Sequence, residues 1–159
     1  MHLHRYEKIW LILGAGGLAL FIALLCVNAF AMGMAPPSNM EMIDPTKVTA
    51  TPPFDNPGLK KIGDNEYDAY MTAFAFGFAP NKMEVPAGAT VNFHVTSPDV
   101  VHGFQIPGTN VNFMVMPGHI NSASYTFEEP GEYLILCNEY CGAGHQVMAT
   151  TIIVKEKGR

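Results

Sequence analysis

A chain of 159 residues, 48% of them hydrophobic, has room for one domain of ordinary size and a segment or two besides. Its formal net charge of −5 at pH 7 has the wrong sign for binding phosphate backbones, so nucleic acid is not an expected partner.

The apolar excess is concentrated near the amino terminus. Residues 9–35 contain no charged side chain, and the interior reads Trp10-Leu-Ile-Leu and then Leu18-Ala-Leu-Phe-Ile-Ala-Leu-Leu. Crossing the hydrocarbon core takes roughly 20 such residues in a helix, so residues 9–34 are predicted to be a transmembrane helix after a short terminus, 1–8. A secretory signal peptide is the rival, since Ala29-Phe30-Ala31 has the small-x-small form of a cleavage site; its apolar region would be only about 7–15 residues long, well short of this one. Arg5 and Lys8, with His2 and His4, precede the segment, and Lys47 is the first basic residue after it. Cytoplasmic flanks are enriched in Lys and Arg, which places the amino terminus inside and the remainder outside. Cys26, within the span, reads as a small apolar residue.

Residues 35–62 are expected to be a stiff tether: six of the twelve prolines fall there, at Pro36, Pro37, Pro45, Pro52, Pro53 and Pro57. Proline removes a backbone donor and favours extended neighbours. A short helix-like turn is compatible with the segment.

From residue 63 to 159 the pattern is of short extended runs punctuated by turns, at Pro80-Asn81, Pro86-Ala-Gly88, Ser97-Pro-Asp99, Pro107-Gly-Thr-Asn110, Pro117-Gly118 and Glu129-Pro-Gly131. That spacing predicts a β-sandwich or barrel. Tyr125 and Phe127 alternate with Ser124 and Thr126, which fits a strand with one buried face. Leu134-Ile135-Leu136 is apolar on both faces, so the strand leading into Cys137 should be central. His94 falls opposite the apolar face of its strand and reads as solvated; His119, beside Pro117-Gly118, reads as loop surface. Phe74, Phe76 and Phe78 have period two, so on one strand they would share a side, and core packing is the default use of such a stripe.

The densest chemistry lies between residues 137 and 148, where Cys137, Cys141, His145 and Met148 put two thiols, an imidazole and a thioether into twelve positions. Soft sulfur beside imidazole selects copper, zinc or iron–sulfur iron, not magnesium or calcium. A thiolate, an imidazole and a weak axial thioether on one loop, with a second His from elsewhere, is a blue-copper donor set; His102 is the candidate for that second His. The extra thiol of Cys137 changes the count. If both thiolates bridge two coppers they make four bonds, and His102, His145, Met148 and one backbone carbonyl between the cysteines add four more. Neither ion is then left with an open position, unlike catalytic metals, which keep one. A Cys137–Cys141 disulfide, a zinc site and a one-copper cupredoxin are the competing readings; the first two do not account for Met148.

At these residues the chain resembles the binuclear copper (CuA) domain of cytochrome c oxidase subunit II, whose motif Cys-x-Glu/Gln-x-Cys-x3-His-x2-Met is matched in full. Ala73-Phe74-Ala75-Phe76-Gly77-Phe78, Thr96-Ser97-Pro98-Asp99-Val100-Val101-His102-Gly103-Phe104 and Pro107-Gly108-Thr109-Asn110 are similar to the B-family, ba-type haem-copper oxygen reductases. The likeness spans roughly residues 66–156 and part of the amino terminus. It implies a cupredoxin Greek-key sandwich behind a single transmembrane helix. By position, Cys137 and Cys141 would bridge two coppers, with His102 and Met148 completing one and His145 and the Glu139 carbonyl the other. In many relatives the Glu139 side chain also reaches a magnesium ion at the boundary with the catalytic subunit, although the nearer B-family pattern has Gln there.

The resemblance further implies an electron-input subunit of a proton-pumping terminal oxidase in a prokaryotic cell membrane, with the copper domain on the periplasmic or outer face. Cytochrome c or a similar donor would reduce the copper pair, which passes electrons to haem in the catalytic subunit I. Expected partners are that subunit, the donor, membrane lipid and a further small subunit. In B-family enzymes an aromatic at the position of Phe76 lies near the copper and the donor-docking surface, which by resemblance implies a part in electron entry for Phe76. Tyr6-Glu7-Lys8-Ile9-Trp10 is similar to the Tyr-Glu-Lys-x-Trp segment that opens the B-family anchor, where the glutamate stands at the mouth of the proton-uptake channel; Glu7 holds that position. Setting aside Arg5, Lys8 and Glu7 leaves seven basic against thirteen acidic residues, a charge suited to steering a basic donor and equally to a simply soluble acidic surface. The alternatives are the same copper module in a nitric oxide reductase and a membrane-tethered copper-binding protein.

Overall fold

In the computed structural model, residues 4–31 and 38–156 are described, and they fall into two compact units. The first is helix α1, Arg5–Cys26, which continues as a π-helical turn over Val27–Ala31. The helix begins four residues ahead of the predicted span because Glu7 caps it: its Oε2 accepts from the His4 backbone N–H at 2.8 Å, satisfying a donor that helix geometry leaves unpaired. Every residue of α1 is exposed, and it is long and apolar enough to cross a membrane. His2 and positions 32–34 of the expected span lie outside the described residues.

The second unit is a sandwich of two mixed sheets. One orders its strands β1 (Ser38–Met42), β9 (His119–Phe127), β6 (Ala89–Thr96), β3 (Glu66–Phe74) and β2 (Gly58–Lys61), with β4 (Gly77–Ala79) also paired to β3. The other runs β5 (Lys82–Pro86), β11 (Ala149–Lys155), β10 (Gly131–Leu136), β7 (His102–Gln105) and β8 (Asn112–Val115). This is the predicted cupredoxin-type sandwich. Alternation builds its core: Ala89, Val91, Phe93 and Val95 of β6 face inward with Phe127 of β9, against Phe104, Ile135 and Ile152 of the second sheet. β10 is central, flanked by β11 and β7, although Leu134 remains 44% exposed.

The expected tether is largely part of the domain. β1 and β2 take the two edge positions of the first sheet, and between them Asp44 caps a 3-10 helix, Pro45–Ala50, with Pro45 in the first turn. Ile43, Val48 and Phe54 bury there with Ile120, and Tyr70 packs against them. The prolines shape the turns, while the apolar residues spaced among them anchor the segment. Pro36 and Pro37 lie outside the described residues.

This second cluster changes the surroundings of His94. The side chain does point away from the main core, but it is part-buried: its ring stacks on Tyr70 at 5.0 Å, Nδ1 lies 3.0 Å from Ser122 Oγ, and Nε2 lies 3.7 Å from Asp68. His119 is likewise part-buried, and it opens strand β9 rather than lying in a loop.

Candidate metal centre

The central strand β10 delivers Cys137 to one end of the sandwich, and the next eleven residues fold back so that the Cys137 N–H meets the Met148 carbonyl at 3.2 Å. Within this closed loop, His145–Val147 forms a 3-10 turn. Gly142 has φ +128°, a conformation that side chains resist. His102 arrives from the other direction at the start of β7, the second neighbour of β10.

Their side chains converge. Cys137 Sγ and Cys141 Sγ lie 3.8 Å apart, far beyond the disulfide bond length of about 2.05 Å, and both thiols are free. His102 Nδ1 is 3.9 Å from Cys137 Sγ, and His145 Nδ1 is 3.7 Å from Cys141 Sγ. Met148 Sδ is 3.6 Å from Cys141 Sγ, and the Glu139 carbonyl oxygen is 3.2 Å from Cys137 Sγ. Among the described residues, His102, Cys137 and Cys141 bring their ligating atoms within 4.8 Å of one another. Thiolate and imidazole bonds of about 2.0–2.3 Å set at tetrahedral angles separate ligand atoms by about 3.5 Å, so the cluster is dimensioned for metal ions. Sulfur and imidazole donors with one carbonyl fit copper.

Most of the site is dry: His102 is fully buried, and Cys137, Cys141 and Met148 are 7%, 9% and 2% exposed, while His145 is part-buried at its rim. Burial, with the adjacent Cys137 thiol, pushes the Cys141 thiol up to about 11. At neutral pH it keeps its proton until a metal displaces it, so metal binding and proton release are coupled.

Two positioning features were not anticipated from sequence. The first is Asp99, three residues before His102, whose Oδ1 lies 2.8 Å from His102 Nε2. That oxygen also receives the Val100 N–H at 2.7 Å and the Ser97 hydroxyl at 3.0 Å, and Oδ2 receives the Ala75 N–H at 2.8 Å. Partial burial raises the Asp99 carboxyl, but the hydrogen bonds from His102, Ala75, Val100 and Ser97 outweigh it and hold the group below its usual range. The second is Gly103, whose N–H points at Cys137 Sγ from 3.4 Å. A Cβ there would sit 1.9 Å from Asn138 Oδ1, so β7 approaches the ligand loop as closely as it does only because position 103 lacks a side chain.

Phe76 meets the loop from outside. The Phe74–Phe76–Phe78 stripe does not share one strand: β3 ends at Phe74, the chain reverses over Ala75 and Phe76, and β4 begins at Gly77. Phe78 is buried, whereas Phe74 and Phe76 are each 40% exposed. Phe76 lies over Gly142 and Gly144, where added Cβ atoms would fall 2.9 and 2.5 Å from its ring. Glu139 has an exposed side chain. Glu7 stands in the first turn of α1, beside Tyr6, Trp10 and Leu11.

Known proteins resemble this chain in sequence and in fold. A profile of the cytochrome c oxidase subunit II periplasmic domain matches residues 62–156. One cytochrome c oxidase subunit 2 of Thermus thermophilus is 47% identical over 155 residues, covering 95% of this chain and 92% of the relative. A second Thermus thermophilus subunit 2 is 50% identical over 126 residues, 78% of this chain and 93% of that one. Among solved structures, a chain from a cryo-EM haem-copper terminal oxidase dimer superposes with a TM-score of 0.80 at 34% identity, covering 95% of this chain and all of the other. The periplasmic domain of subunit II of Bradyrhizobium japonicum cytochrome oxidase shares the fold, with a TM-score of 0.52 at 23% identity over 56% of this chain and 83% of that one.

Proposed function

This chain belongs to the cytochrome c oxidase subunit II family and is the electron-input subunit of a haem-copper terminal oxidase; we propose that it takes electrons from cytochrome c or a similar donor at two copper ions and hands them to haem in the catalytic subunit, where oxygen reduction is coupled to proton pumping. The observation that carries this reading is the pair of buried thiols 3.8 Å apart, each with its own imidazole nitrogen within 3.9 Å. One thiol would suffice for a single copper; a second, equally buried and equally partnered, fits two.

In this assignment Cys137 and Cys141 would be shared by both coppers, His102 and Met148 would complete one ion, and His145 and the Glu139 carbonyl would complete the other. When bound, the copper pair supplies one-electron transfer with the charge change spread over two ions. The chain's own residues do the rest. Burial of His102, Cys137, Cys141 and Met148, with every copper bond taken up by a protein ligand in this assignment, leaves no position for substrate, so the site relays electrons and performs no oxygen chemistry. Asp99 holds the His102 ring by Nε2 and leaves Nδ1 facing the sulfur, the orienting role that carboxylates play behind ligating histidines. Phe76, exposed above the glycines of the ligand loop, is placed where an incoming donor would meet the site.

The apolar helix anchors the subunit once across the membrane, with Arg5 and Lys8 on the cytoplasmic side and the copper domain on the opposite face. Glu7 then lies at the cytoplasmic boundary, where it would collect protons for the catalytic subunit. The exposed Glu139 carboxylate is the group that would reach a magnesium ion at the subunit boundary. The experiment is to purify the complex through this chain, identify the haems that accompany it and mix it with reduced cytochrome c. Rapid reduction of copper followed by haem, with oxygen consumption, is expected; a co-purifying subunit that consumes nitric oxide but not oxygen would overturn the oxidase assignment.

A further inference from the structure

A second set of soft donors lies outside the buried cluster. β1 and β9 register Met42 opposite His119, so the two side chains leave the same face with Cβ atoms about 4.5–5.5 Å apart. Met42 is 75% exposed. His119 is part-buried, and its Nδ1 lies 3.4 Å from the Pro117 carbonyl oxygen. With Nδ1–H donating there, Nε2 keeps the free lone pair, the arrangement in which protein imidazoles commonly ligate metals. A second thioether opens the same turn: the His119 N–H closes onto the Met116 carbonyl at 3.2 Å, with Gly118 at φ +83° making the reversal.

This turn is fastened to the structure that holds His102. Val115, the residue before Met116, is the strand partner of His102, and Thr96 Oγ1 donates to the His119 carbonyl at 2.8 Å from the end of the strand that leads into the His102 loop. The buried thiols, by contrast, are nearly closed to solvent. An imidazole registered beside one thioether, with a second methionine opening its turn, suits Cu(I) and offers nothing to hard cations.

We propose that His119 and Met42, with Met116, form an outer Cu(I) site that takes up the ion on its way to the buried thiols. The uptake role rests on the copper reading of Cys137 and Cys141; the binding itself does not. The test uses the full-length chain in detergent, copper-loaded and reduced, titrated anaerobically with Cu(I) in competition with a chromophoric bicinchoninate. The wild-type chain should hold one Cu(I) beyond the buried ions. His119→Ala and Met42→Leu should each weaken that ion at least tenfold while the absorption of the buried centre, read on a separate oxidised sample, stays unchanged; Met→Leu conserves volume and should leave the fold intact. Absence of the extra ion from the wild type, or its retention in both variants, overturns the site. In a second arm, the copper-free chain is mixed with Cu(I) and protection of the Cys137 and Cys141 thiols from alkylation is timed. Protection several-fold slower in both variants supports uptake, and equal rates overturn it. An extra ion that binds even where the buried pair fails to form would separate this site from the assignment of that pair.

Discussion

Asp99 Oδ1 lies 2.8 Å from His102 Nε2, while the opposite ring nitrogen, Nδ1, faces the Cys137 sulfur at 3.9 Å. Donation from Nε2–H to the carboxylate fixes the tautomer that leaves Nδ1 free to ligate. Asp99→Ala should therefore weaken copper binding by roughly 10–100-fold, measured by competition with a copper chelator. Asp99→Asn retains an acceptor oxygen and should lose less. The pH dependence has a definite sign. Because the folded-state value of Asp99 is lowered, its stabilisation is complete above the ordinary carboxylate range and is lost as pH falls through the lower folded value. Denaturant melts of the copper-free chain should show acid destabilisation that is smaller in Asp99→Asn than in the wild type; identical acid limbs would contradict it.

Met148 and Cys141 make contrasting contributions. A thioether is a weak axial ligand that tunes potential more than it holds the metal, so Met148→Leu should keep two coppers with a shifted potential and slower transfer. Cys141→Ser removes a thiolate that the two-copper assignment shares between both ions, and it should lose most of the copper. Metal analysis with redox titration of the two variants checks this ranking, and equal copper loss would overturn it.

Phe76 and the glycines beneath it should behave as a unit. Phe76→Ala removes an aromatic lid that is 40% exposed, and it should slow electron input from cytochrome c, read by stopped-flow, by more than its change in stability explains. Gly144→Ala puts a Cβ 2.5 Å from the same ring and must displace it, at a cost of about 1–3 kcal/mol of stability. Wild-type input rates in a well-folded Phe76→Ala chain would return the residue to a packing role.

The ligand loop was legible because Cys137, Cys141, His145 and Met148 are close in sequence and their side-chain chemistry is unambiguous. The sandwich followed from alternation and turn residues, and β10 was placed centrally from its apolar run. Asp99 was readable in principle, since Ser97-Pro98-Asp99 is a turn signal three residues before His102, but only the fold shows that its second oxygen ties down Ala75. The segment around Pro45 and Pro53 was misread because proline content speaks to local stiffness and not to what Val48 and Phe54 bury against. The Phe74–Phe76–Phe78 stripe misled for a related reason: the reversal at Ala75 and Phe76 is set by tertiary contacts, including the Ala75–Asp99 hydrogen bond, and is preceded by no Gly or Pro.

Glu7 combines a structural contact with its proposed proton role. Its Oε2 accepts from the His4 N–H, and glutamine can serve the same cap, so Glu7→Gln separates the two functions. In the assembled complex this variant should slow turnover and proton uptake while reduction of copper by cytochrome c proceeds at the wild-type rate. Normal turnover would leave Glu7 as a helix cap alone.

The two-copper assignment is tested most directly by electron paramagnetic resonance of the copper-loaded full-length chain at partial oxidation. The separation of Cys137 and Cys141, each beside its own imidazole, predicts one unpaired electron with hyperfine structure shared over two copper nuclei, and metal analysis giving two coppers per chain. A spectrum confined to a single copper nucleus, with one copper per chain, would contradict it.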